Sequence, residues 1–200
     1  MNEENNIKFD VFIKGELIDL VVLTEEIIEK TNWYNWFNDE ENTKHMQKHY
    51  FSNTKVMQLE FLRNVIENNT KLQLGVVQKD ENYFCGVVSL NDIDYINSNA
   101  DISLVIGEKK YHNLKIAYEA VKLIIDHAFF TLNLHKIHAG YIETLEPWGL
   151  FLKRTFGFIE EGVQNEQVFK NGEYLNVINL GLIVNQYKNS TEENSNEKNN

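Results

Sequence analysis

The chain has 200 residues, of which 42% are hydrophobic and 24% charged, with one proline and one cysteine. That composition suits one globular domain and contains no run of about 18 apolar residues, so no spanning helix is expected. A formal net charge of −11 opposes unspecific binding to nucleic acid or an anionic membrane, so an anionic ligand needs its own basic niche.

The start MNEENN lacks the basic and apolar stretches of a secretory signal, so a cytoplasmic protein is expected. Residues 1–6 are expected to be flexible. From Lys188 the sequence KNSTEENSNEKNN has no apolar residue, and 188–200 is expected to be a disordered tail. A single domain over 7–187 remains. Lone Cys85 excludes an internal disulfide and a multi-thiolate metal site; on a strand beside Gly86 it reads as a small buried apolar residue.

Phe12 to Leu23 alternates loosely around Gly15 and predicts one strand, after which Thr24 caps a helix opened by Glu25 and Glu26. Short helices follow through TNWYNWFNDEEN, and Thr54 caps a longer one over TKVMQLEFLRNVI. Lys71 to Lys79 and Tyr83 to Leu90 predict a hairpin around Lys-Asp-Glu-Asn, and Asp101 to Gly107 a further strand. Ile116, Ala120, Val121, Ile124, Ile125, Ala128 and Phe129 recur at helical spacing, a stripe wide enough to pack on a sheet.

Lys136 to Ile142 predicts a strand, followed by a helix with Pro147 in its first turn and Gly157 past its end. Phe158 to Gly162 and Val177 to Val184 predict two last strands around Lys170-Asn171-Gly172. The expected class is α+β: a mixed, largely antiparallel sheet with helices on both faces. It is neither a TIM barrel nor a dinucleotide fold, whose early glycine-rich turn is missing.

Two histidine pairs bear on metal binding. His45 and His49 lie on one face if helical, but no third ligand is near, which favours a surface or acceptor-site role. His135 and His138 fall on opposite faces of a predicted strand and do not ligate jointly. No metal is expected. Trp33 and Trp36, with Tyr34 and Phe37, read either as a stacking wall for a sugar or as core anchors.

The stretches ADISLVIGEKKYHNLKIAYEA, LNLHKIHAGYIE, TFGFIEEG and FKNGEYLNVINLGLI, in that order, resemble the GNAT superfamily of acetyl-CoA-dependent N-acetyltransferases. The similarity runs from about Phe12 to Leu182 and is nearest to the branch holding ribosomal-protein alanine acetyltransferases and nucleotide-amino-sugar acetyltransferases. The segment WFNDEENTKHM is similar to the branch's acceptor region, which implies substrate-binding roles for Trp36, Asn38 and His49.

The resemblance implies a GNAT fold and acetyl-CoA as donor. It assigns the pyrophosphate loop to His112, Asn113, Leu114, Lys115, Ile116 and Ala117, where free amides at a helix start would face the anion. Lys115 replaces the loop's usual glycine. Lys109, Lys110 and Lys115 with His112 form the most basic short segment of the chain, read either as this CoA niche or as a solvated face.

It further places the backbone amides of Leu104, Val105 and Ile106 at the thioester carbonyl and leaves Asp101 and Glu143 as candidate general bases. Each carboxylate also reads as an exposed strand end. Positions that carry Asn, Ser and Tyr in many relatives are Glu146, Gly149 and Lys153 here, with Lys153 a candidate proton donor or cofactor contact. The expected activity is acetylation of a primary amine, of an amino sugar or nucleotide-linked amino sugar. A protein N-terminal acetyltransferase and a non-catalytic acyl-CoA-binding module are the alternatives. Expected partners are a small-molecule amine and a second copy of the chain, with neither nucleic acid nor membrane.

Overall fold

The computed structural model describes residues 7–46 and 50–188. The expectations for 1–6 and 189–200 lie outside these residues; Lys188, expected in the tail, ends a helical turn over 184–188. Eight strands form one sheet in the order β1-β2-β3-β4-β5-β6-β8-β7. They are β1 (Val11–Lys14), β2 (Ile18–Val22), β3 (Leu72–Gln78), β4 (Tyr83–Asp94), β5 (Asn99–Ile106), β6 (Lys136–Ile142), β7 (Ile159–Lys170) and β8 (Glu173–Ile183). All neighbours are antiparallel except β5 and β6, which are joined by a helical crossover, as parallel strands require.

Besides the turn over 184–188, six α-helices among the described residues cover the two faces: α1 (Glu25–Lys30), α2 (Trp33–Trp36), α3 (Glu40–Thr43), α4 (Lys55–Glu67), α5 (Leu114–Asp126) and α6 (Glu146–Phe156). Thr24 and Thr54 cap α1 and α4 as predicted, their hydroxyls accepting from the amides of Ile27 at 3.4 Å and Met57 at 3.2 Å. Gly157 ends α6 at φ 81°, a left-handed conformation that glycine adopts without steric cost. The stripe of α5 packs with Leu152 and Phe156 of α6 on one face of the sheet, around Leu20, Val76, Val88 and Ile137. Ile27, Ile28, Trp33, Trp36 and Leu62 pack on the other.

The first predicted strand is two. The chain turns at Gly15, where an added Cβ would stand 2.4 Å from the Ile18 carbonyl oxygen and 2.5 Å from Oε1 of Glu119. That carboxylate, on α5, accepts the amides of Glu16 and of Leu17, the latter at 2.8 Å. The last hairpin is longer than predicted because register shifts between Glu160 and Gly162 and between Gln164 and Val168 carry polar residues through β7. No helix among the described residues is long and apolar enough to cross a membrane.

Candidate active site

β5 and β6 share three rungs, Asn99 with Lys136, Ala100 with Ile137 and Asp101 with His138. Beyond Asp101 they part: β5 continues paired only with β4, and β6 only with β8. The separation opens a cleft of about 840 Å³ whose walls are 101–106 of β5, 140–142 of β6, the start of α5 and Trp148 of α6. An unpaired strand edge inside a cleft offers backbone donors and acceptors to an extended ligand.

Strand alternation decides which groups face the cleft. The Gly107 amide donates to the Cys85 carbonyl at 3.0 Å, so with period two Val105 is turned toward its partner Val87 on β4. Leu104 and Ile106 point to the open edge. Of the three amides expected at a thioester carbonyl, the Val105 amide is thus directed into the β4 ladder, while its side chain still lines the cleft. The Ile106 carbonyl accepts from Nε2 of His112 at 2.8 Å, which fixes the imidazole against the strand end.

At the same end of the cleft, α5 begins. Its N-cap Asn113 accepts the Ile116 amide at 3.0 Å, and Ala117 bonds the Asn113 carbonyl at 3.2 Å. The amides of Leu114 and Lys115 have no partner among the described residues, which leaves two N–H groups at the positive end of this helix. Ile116 itself is buried in the core, so it contributes no contact to a ligand through its side chain. No residue from 108 to 117 has a positive φ, so Lys115 meets no conformational demand that only glycine satisfies. Lys109 pairs with Asp39 at 3.3 Å and Lys110 with Glu81, leaving Lys115 as the uncommitted ammonium of the basic segment among the described residues.

Asp101 is half-buried at the point where the strands part, and burial pushes its carboxyl up to about 6, with the charge of Asp92 adding to the shift. Glu143 is not brought together with it. The Glu143 carboxylate is exposed and accepts both the backbone amide and the side-chain amide of Asn176, at 2.9 and 3.1 Å. Lys153 also lies outside the cleft walls and pairs with Glu160 at 3.5 Å. Gly149 leaves room for the ring of Tyr141: an added Cβ would lie 2.2 Å from its Cζ. Tyr141 is a cleft wall that the sequence did not single out, since on β6 it follows the alternation of a core position. Cys85 is buried, as expected, and burial pushes its thiol up to about 12.

On the face of β5 that carries Asp101, Ser103 and Val105, a second cavity of about 620 Å³ shares Phe37, Ser103 and Val105 with the cleft. Trp36 does not line either one. It is 2% exposed, stacks on Phe84 at 5.3 Å and donates from Nε1 to Glu108 at 2.7 Å, so it is a core anchor rather than an acceptor wall. Asn38 exchanges two hydrogen bonds of 2.7 Å with the backbone of Asn53 and holds the loop that lines the second cavity. His49 lies outside the described residues. His45 lines the cleft, with Nδ1 3.1 Å from the Thr144 hydroxyl and its pKa lowered, chiefly by burial.

A crossover sheet whose parallel pair splays beside a helix start defines an acyl-CoA-dependent acyltransferase fold. A family model for the acetyltransferase (GNAT) domain matches residues 20–144, and the chain belongs to that family. It is 30% identical over 117 residues to the spermidine N(1)-acetyltransferase of Vibrio cholerae, covering 58% of this chain and 66% of that protein. It is 29% identical over 102 residues to the enzyme of the same name from Escherichia coli, covering 51% and 54%. A putative ribosomal N-acetyltransferase of Bacillus subtilis matches at 26% over 104 residues, covering 52% and 56%. The chain therefore spans less than two thirds of these curated relatives. The solved spermidine N-acetyltransferase of Vibrio cholerae, in complex with CoA and spermine, superposes with a TM-score of 0.77 at 22% identity, over 86% of this chain and 99% of that one.

Proposed function

We propose that this chain binds acetyl-CoA in the β5/β6 cleft and transfers the acetyl group to a primary amine of a small molecule. The observation that carries this reading is the unpaired edge of β5, which runs from a half-buried carboxyl at Asp101 to a helix start with two unpartnered amides. The residues fit the donor: an apolar cleft with strand-edge amides suits pantetheine, and the Leu114 and Lys115 amides with the Lys115 ammonium suit a pyrophosphate. Acetyl-CoA supplies a thioester carbonyl open to attack by an amine.

The chain's own groups then divide the work. Leu104 and Ile106 offer edge amides to an amide or carbonyl of the donor. Asp101 accepts a proton from the ammonium form of the acceptor, a role its raised pKa suits better than that of an ordinary surface carboxylate. A thiol pKa near 8.5 makes the departing sulfur a tolerable leaving group without a dedicated acid, in keeping with a helix α6 that carries no hydroxyl at Glu146, Gly149 or Lys153.

Spermidine is the acceptor in the names of the relatives. The amino sugar expected from the sequence loses the stacking wall of Trp33 and Trp36, both in the core. A small amine remains the reading that both support. Thermal denaturation with acetyl-CoA tests it: at 100 times its dissociation constant the ligand should stabilise by about 2.7 kcal/mol. Thiol release with small amines and with amino-terminal peptides completes the test. No stabilisation at millimolar acetyl-CoA would sink the reading, turnover on peptides alone would move it to protein termini, and stabilisation without turnover would leave an acyl-CoA-binding module.

A further inference from the structure

The second cavity adjoins the cleft through Phe37, Ser103 and Val105. Four buried polar atoms lack a partner among the described residues, and Nε2 of Gln58 is the one whose side chain lines either cavity. Its identity as a donor follows from its neighbours. Asn53 Nδ2 donates to the Tyr34 carbonyl at 3.0 Å, so that nitrogen also donates to Gln58 Oε1 at 2.8 Å, which leaves Gln58 Nε2 as an N–H group. Gln58 is 3% exposed, so water does not freely satisfy it. Among the described residues of the cavity wall Lys71 supplies the only charge and no carboxylate stands, and no described acidic group pairs with it.

The spacing to Asp101 follows from the sheet. Leu72 faces Leu90, and Asn91 faces Asp101, so Lys71, the residue just before β3, extends the row of Asn91 and Asp101 by one step. Two inter-strand steps amount to about 10 Å. Asn91 and Ser103, 3.2 Å apart, line the path between the two ends.

We infer that the acceptor is a primary amine carrying an anionic group, carboxylate or phosphate, at the end remote from the amine, held by Lys71 and Gln58 while the amine lies at Asp101. The inference rests on the acetyltransferase reading for the position of the amine. A second ammonium, as in a polyamine, would meet a lysine and an amide donor instead of an acid at that end.

Calorimetric titration of the full chain with CoA present tests it, using aminohexanoate, aminohexyl phosphate, hexylamine and spermidine. The expected result is that at least one anionic amine binds about tenfold tighter than hexylamine and spermidine, and that Lys71→Met removes the advantage while leaving hexylamine unchanged. Which anion binds more tightly distinguishes carboxylate from phosphate. Gln58→Glu, which keeps the acceptor oxygen for Asn53 and removes the donor, should weaken the same ligands. Equal or tighter binding of spermidine, or an anion preference that survives Lys71→Met, overturns the inference. Thiol release is measured in parallel: selective binding without release rejects the transferase reading and leaves the subsite standing, whereas release without anion preference does the reverse.

Discussion

Asp101 and His138 form the last rung shared by β5 and β6, and their side chains share one face of the sheet. Both are half-buried, and burial moves their pKa values in opposite senses, Asp101 up to about 6 and His138 down from its ordinary value, with Lys136 lowering it further. Above pH ~6 the rung therefore carries an ionised carboxylate, the state in which Asp101 accepts a proton.

Asp101→Asn should lower kcat/KM by about 10²- to 10⁴-fold, and the wild-type profile should fall on its acidic side near pH 6. The stability effect has the opposite sign. A carboxyl raised from 3.8 to about 6 holds its proton more tightly in the folded than in the unfolded chain. Its ionisation therefore lowers stability as pH rises through that window, and the penalty persists above it. Asp101→Asn should remove the penalty, gaining roughly 3 kcal/mol at neutral pH relative to the wild type and little at pH ~4. Urea denaturation of both proteins across this range measures the difference directly; a loss of stability that grows as pH rises would show that the carboxylate is held by a favourable partner instead.

How much of this was legible in the sequence depended on the range of the interaction. Thr24 and Thr54 announce α1 and α4 because a cap bonds an amide three residues away, and β6 is bounded as predicted by its alternation. The break at Gly15 was not legible, because the carboxylate that holds the turn comes from Glu119, on a helix far along the chain. Asp101 was found through a resemblance, but its separation from Glu143 depends on Asn176, which occupies the Glu143 carboxylate. The sequence alone suits Trp36 to wall or core, and its stacking on Phe84, a residue of a distant strand, decides for the core. The second cavity gathers Phe37, Gln58, Lys71, Asn91 and Ser103 from separate elements, so no local pattern marks it.

Gly149→Ala tests the contact that shapes the cleft at α6. The new methyl would overlap the Tyr141 ring, and Tyr141 is 7% exposed with little room to retreat except into the cleft. We expect a loss of about 1–3 kcal/mol in urea denaturation. Weaker acetyl-CoA binding by calorimetry should accompany it, because the displaced ring occupies the cleft. Unchanged affinity together with lost stability would show that the ring moves away from the ligand.

Asn113→Ala separates capping from cofactor binding. The side chain satisfies the Ile116 amide, so its removal should cost about 1 kcal/mol of stability. The Leu114 and Lys115 amides are untouched, and CoA affinity should stay within about threefold. A loss of affinity well beyond that would place Asn113 itself on the anion.

Glu119 is buried between α5 and the β1–β2 turn, where its two oxygens receive the amides of Glu16 and Leu17. Glu119→Ala leaves both amides unsatisfied in a part-buried turn and should destabilise by about 2–4 kcal/mol. Glu119→Gln keeps one acceptor and sets an amide donor against the other N–H, so its loss should be smaller but still above about 1 kcal/mol. Neither residue nor turn lines the cleft, so acetyl transfer per folded molecule should not change. Urea denaturation ranks the two variants, and kcat at a temperature where both remain folded checks the separation; a fall in kcat would mean that the turn positions α5, and with it the Leu114 and Lys115 amides.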